Sequence, residues 1–151
     1  MTFEIFNPEA LGPPRGWNNG MLAPEGGRTL FVAGQIGVGP VGAGSESGMS
    51  AQFGAALVNV ARVVEEAGGR VADVGRLTIY VTDMDVYRES LAEIGTAYGS
   101  VFGKHFPAMS LVAVTELVDP KAVVEIEATA VVPSKRTDEV EPARAAAEEQ
   151  P

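Results

Sequence analysis

Two carboxylates on one face of a strand are the residues best placed to do chemistry in this chain. In the run from Ala122 to Ala130, alternation puts Ala122, Val124, Ile126, Ala128 and Ala130 on one side. Val123, Glu125, Glu127 and Thr129 fall on the other. A carboxylate at the wall of a cleft can take a proton from water and hand it to a leaving group. The plain alternative is an ion pair across the sheet with Arg76 or another basic residue. The strand pattern leaves open whether Glu125 or Glu127 would carry the proton.

Other chemistry is thin. The single histidine, His105, lies between a helix and a strand, where a cation or donor near the helix C-terminus explains it without catalysis. Gly37-Val38-Gly39-Pro40-Val41-Gly42 fits the dinucleotide pattern G-x-G-x-x-G by letter. No helix opens there, however, and Pro40 lacks the N–H that a phosphate would use, so the run reads as a turn. With no cysteine, the chain has no disulfide scaffold, cysteine nucleophile or thiolate metal site, and one histidine rules out a two-histidine mechanism.

The elements that must position these residues follow from periodicity. Strands are predicted over 3–6, 17–22 and 30–36, separated by Gly12-Pro13-Pro14 and the turn Pro24 to Gly27. After a Gly/Ser-rich loop, Phe53, Leu57, Val60 and Val64 predict a helix from about Ser50 to Gly68, capped by Ser47 or Ser50. A strand over 74–82 follows, then one helix over 85–104 with Tyr87, Leu91, Ile94, Tyr98 and Val101 as its stripe. Asp83 or Asp85 is its expected N-cap. Strands over 109–116 and 122–132 complete the order β, β, β, α, β, α, β, β. This predicts an α+β layer fold: one mixed sheet with both helices on one face. The many apolar positions on the other face predict that further copies of the chain cover it.

Composition sets the outer bounds. The 151 residues suit one domain, here 1–132, with 133–151 an acidic tail expected to be disordered because it has almost no large apolar residue. The net charge of -9 opposes a nucleic-acid partner but is compatible with a small anion in a local positive pocket. No apolar run approaches the roughly 20 residues that cross a bilayer, so no membrane partner is expected. The start MTFEIFNPEA lacks a secretory pattern, and the expected location is the cytoplasm.

Five motifs, in order over residues 15–132, resemble those of the RidA (YjgF) family of reactive-imine deaminases. They are Phe31 to Gly37 with Gly34-Gln35, Gln52 and Asn59 ahead of Glu66-Ala67-Gly68, VGRLTIYVTDM from Val74 to Met84, Phe106-Pro107-Ala108, and Val124-Glu125-Ile126-Glu127. The resemblance implies a chorismate-mutase-like fold and a homotrimer with ligand clefts between subunits. It also implies hydrolysis of enamines and imines such as 2-aminoacrylate without metal or organic cofactor. It assigns the catalytic role to Glu125, and ligand contacts to Trp17, Ala33, Gly34, Gln35, Gly95, Pro107 and Met109. At four of these the chain departs from the family pattern: Met109 replaces an arginine that grips the substrate carboxylate, Ala33 a serine, Trp17 a tyrosine and Gly95 an asparagine. A thioether cannot make a guanidinium's bidentate contact, so the expected ligand is a small molecule without a small α-carboxylate, apolar or aromatic. Arg15 and Arg28 are the two candidates for a replacement cation. A non-catalytic binding protein is the alternative reading; a ribonuclease is disfavoured by the acidic charge.

Overall fold

Alternating apolar residues and one long amphipathic repeat build the core of the computed structural model, which describes residues 2–39 and 47–134. The strands are β1 (Glu4–Phe6), β2 (Gly20–Leu22), β3 (Arg28–Ile36), β4 (Val74–Val81), β5 (Ala108–Ala113) and β6 (Val124–Val132). The helices are α1 (Met49–Glu66), α2 (Met84–Glu89) and α3 (Leu91–Phe102). Four strands form a sheet in the order β3-β6-β4-β5, mixed because β4 and β5 run parallel while the other pairs are antiparallel. The helix α1 packs over β3 and β6, and α3 lies against α1. Phe53, Leu57, Val60 and Val64 of α1 are buried against Leu77, Ile79, Val124 and Ile126 of the sheet. The predicted faces of β6 are therefore the observed ones.

Three details differ from the sequence expectation. First, β1 and β2 pair only with each other, as an antiparallel ribbon apart from the main sheet. Strands of three residues with no buried position cannot extend a ladder; the ribbon's neighbour Phe3 instead lays its ring over Gly75, where a Cβ would meet it at 2.8 Å. Second, the second helix is two. Ser90 leaves helical geometry (φ -100, ψ 11), and its hydroxyl donates to the Val86 carbonyl at 2.7 Å, closing α2 before α3 begins. Asp83 is the cap of α2, its carboxylate accepting from the Asp85 and Val86 amides. Third, α1 starts after Gly48 with no hydroxyl cap. The buried Gln52 side chain organises this end instead: its amide donates to Ser47 and Lys121 carbonyls and its oxygen accepts from the Val123 amide. That ties the helix start to the entry of β6.

The turn at Gly37 brings β3 so close to α1 that a Cβ there would overlap the Gln52 backbone. Close packing accounts for that glycine without a cofactor; Pro40, Val41 and Gly42 of the same motif lie outside the described residues, as does the tail from 135 onward. Among the described residues no helix is long and apolar enough to cross a membrane.

Candidate functional site

The helix-covered side of the sheet contains a cavity of about 720 Å³ between α3 and the edge strand β5. Register explains why Met109 faces it: Met109 pairs with Leu77, and Leu111 with Ile79, both on the helix side. Trp17 reaches the same cavity from the loop before β2. Asn18 holds that loop in place, donating from its side chain to the Phe106 carbonyl at 2.7 Å and from its backbone to the Pro107 carbonyl at 3.3 Å. Asn7 braces Asn18 from the ribbon at 2.8 Å. Pro107 is fully buried beneath this contact and does not line the cavity.

Aromatic packing shapes the rest of the wall. Tyr98 stacks on Phe106 with ring centroids 5.6 Å apart, and its hydroxyl donates to the His105 carbonyl at 2.7 Å. Burial pushes the Tyr98 phenol far above its ordinary range and raises that of Tyr87, so both remain neutral donors. Gly95 lies on the cavity side of α3, and a Cβ there would meet nothing within 4 Å. His105 is structural: its Nε2 lies 2.7 Å from the Val74 carbonyl, to which it donates, since a carbonyl can only accept.

Glu125 lies on the opposite face. It pairs in register with Tyr80 and Ile36, between the buried Val124 and Ile126. A bulge between Val32 and Gln35 brings Gly34 under its carboxylate, so closely that a Cβ on Gly34 would overlap the Glu125 side chain. Gln35 folds back to donate to the Ala33 carbonyl at 3.0 Å. Glu127 is engaged differently, accepting from the Tyr80 hydroxyl at 3.2 Å. Loss of water raises the Tyr80 pKa, with the Glu127 charge adding to it. Neither glutamate pairs with Arg76: among the described residues the ion pair present is Arg88–Asp85.

One chain thus holds two groups of the predicted residues that cannot meet. Trp17, Gly95 and Met109 line the helix-side cavity at the β5 edge. Ala33, Gly34 and Glu125 gather on the open face near the β3 edge, where Phe31 stands 79% exposed; Gln35 follows in β3, paired with the buried Ile126. Of the two candidate cations, Arg15 lines the cavity; Arg28 is committed to the Pro133 and Ala67 carbonyls at the far end of β3.

A sequence model of the family described as Endoribonuclease L-PSP matches residues 9–132. The chain belongs to this family. A relative from Salmonella typhimurium named 2-iminobutanoate/2-iminopropanoate deaminase is 36% identical over 128 residues, covering 82% of this chain and 91% of its own. The Escherichia coli protein of the same name is 35% identical over the same coverage. Among solved structures, a Rid-family protein of unknown function from Yersinia pestis aligns with a TM-score of 0.74 at 34% identity, covering 87% of this chain and all of its own. The Escherichia coli YjgF structure aligns with a TM-score of 0.58 at 34% identity, covering 82% and 91%. The fold is accordingly the chorismate-mutase-like α+β arrangement of the RidA family.

Gly99 lines the cavity and Asn18 holds the loop beside it, yet nothing local in the sequence marks either. Asn18 meets a partner 88 positions away, a separation that no periodicity reveals. The sequence predicts a strand over 17–22, whereas β2 begins only at Gly20, because Asn18 is docked on the Phe106 and Pro107 carbonyls.

Proposed function

We propose that this chain is a RidA-type deaminase that hydrolyses imines or enamines lacking a small α-carboxylate, in a site assembled between copies of a homotrimer. The observation that carries the reading is the pairing of relatives named imine deaminases with a methionine wall where the family pattern has its arginine. The separation of the two residue groups supports assembly between copies, since a second chain could bring its β3 side against the β5 edge of the first. In the reaction, water attacks the C=N carbon while the Glu125 carboxylate accepts its proton. The proton passes to nitrogen, the C–N bond breaks, and a carbonyl compound and ammonia leave. Backbone donors near Ala33 and Gly34, with Gln35, hold the polar end of the ligand. Trp17, Gly95 and Met109 receive its apolar part, on a wall that Pro107 supports. The protein acts in the cytoplasm on this reading.

The test is hydrolysis of an arylalkyl ketimine released in place by a flavin amine oxidase, followed by the fall in its semicarbazide-trapped fraction. Faster hydrolysis with the protein supports the enzyme. Binding of the product ketone without acceleration would instead favour the non-catalytic binder, the reading to which the Met109 substitution lends weight. Assembly is tested separately: light scattering should give about 47 kDa, three times 15.7 kDa. Mixed oligomers of Glu125→Gln and Met109→Trp chains should regain part of the activity that each lacks alone. A stable monomer, or no recovery on mixing, would sink the shared site.

A further inference from the structure

Arg15 is the single formally charged residue among those that line the helix-side cavity. It sits exposed in the loop that Asn18 pins over Phe106 and Pro107. Three other arginines have partners: Arg28 donates to Pro133 and Ala67, Arg62 to Asn59, and Arg88 to Asp85; Arg76 belongs to β4 and does not line this cavity. No hydrogen bond or ion pair engages the Arg15 side chain among the described residues. In a chain with 20 acidic and 11 basic residues, an unpaired cation at the mouth of an apolar cavity is a local reversal of the overall field.

We infer that the cavity takes an apolar-bodied monocarboxylate, with its body between α3 and β5 and its carboxylate on Arg15 at the rim. This rests on the cavity being part of the ligand site, as proposed above, and adds to it the charge and shape of the ligand. The guanidinium fork matches a carboxylate in two parallel hydrogen bonds, a contact that Met109 on the inner wall cannot make. The volume of about 720 Å³ lies within the range of small-molecule sites and far exceeds what a three- or four-carbon acid fills. Gly95 and Gly99 widen it further, since neither would carry a Cβ into contact with anything within 4 Å. Charge held at the rim and bulk held inside select a ligand whose carboxylate lies away from its apolar end.

Trp17 is the only tryptophan of the chain and lines the cavity, so its fluorescence reports occupancy directly. Titration of the full chain with 4-phenylbutyrate and with its uncharged amide tests the assignment. The acid should bind more tightly than the amide, and added salt should narrow the gap. Arg15→Gln should weaken the acid about fivefold, the scale of a charged contact at an exposed rim, and leave the amide unchanged. Gly99→Leu, which fills the widened wall, should abolish both. Equal binding of acid and amide, or an unchanged acid affinity in Arg15→Gln, overturns Arg15 as the anchor while leaving the cavity a ligand site. Failure of both compounds to bind overturns the cavity reading and this inference with it.

Discussion

The two faces of the sheet are built on different physics. The helix-side cavity is formed by side chains that leave space: Met109 and Leu111 from β5, Tyr98 stacked on Phe106, and glycines on α3 where bulk is missing. The open face around Glu125 is formed by close approach: a bulged strand brings Gly34 against a carboxylate, and Glu127 is held by Tyr80. An apolar hollow discriminates by shape and burial, whereas a carboxylate on a bare glycine can move protons where the backbone admits a ligand. Alternation along neighbouring strands puts the two on opposite faces of one chain, so the proposed selectivity and proton transfer can be tested by separate substitutions. Substitutions on one face should alter binding, and those on the other turnover.

The largest effect should come from the carboxylate. Glu125→Gln keeps size and most hydrogen bonding, and is expected to lower turnover of a ketimine by about 10²–10⁴-fold with little change in Trp17-monitored binding. Full turnover in that variant, with loss in Glu127→Gln instead, would move the proton carrier to the residue now bonded to Tyr80. On the other face, the unsubstituted chain should hardly accelerate 2-aminoacrylate hydrolysis. A missing buried arginine–carboxylate contact costs about 2–5 kcal/mol, or roughly 30- to several-thousand-fold in rate. Met109→Arg should recover part of that rate in the same assay, and robust native turnover would show that another group already holds the carboxylate.

Gly34→Ala tests the close approach. Its Cβ must displace the Glu125 side chain, and a displacement of this size is expected to lower kcat by about 10²-fold while calorimetry finds the fold intact. Smaller still is Tyr98→Phe, which loses one hydrogen bond to His105 and should cost about 1 kcal/mol in chemical denaturation. It carries a pH signature. Because burial raises the Tyr98 pKa above its ordinary 10.0, the unfolded chain ionises first, and the native contribution is lost as pH rises beyond that value. The phenylalanine variant should therefore lose less stability than the parent above about pH 10. The smallest change is expected from deleting residues 135–151: the melting temperature should stay within about 2 °C, since their composition offers no core side chain.

Most of the layer fold was legible in the sequence because burial writes a period into the chain. The two-residue alternation of Val124 to Val132 and the recurrence of Phe53, Leu57, Val60 and Val64 predict the faces that the structure buries. Breaks at Gly and Pro locate most of the turns. The division at Ser90 was not legible: the apolar stripe continues across it, and only a side-chain hydrogen bond back to Val86 shows where one helix ends. The cap of α1 escaped for a similar reason, since serine suggests a local cap whereas the distant Gln52–Val123 contact organises that end.

By itself, the sequence determined most of the elements and the buried side of β6, with Glu125 and Glu127 together on the other side; the family resemblance then singled out Glu125 and marked Met109 as standing where the family pattern has an arginine. The elements and that face follow from local periodicity, which needs no knowledge of distant neighbours. Tertiary structure alone decided that Met109 and Glu125 face opposite ways, that Arg15 rather than Arg28 stands at the cavity, and that Gly34 is required because a carboxylate lies against it. Each depends on strand register or on a loop docked across the chain, and those are set by long-range packing and hydrogen bonds that no local pattern encodes.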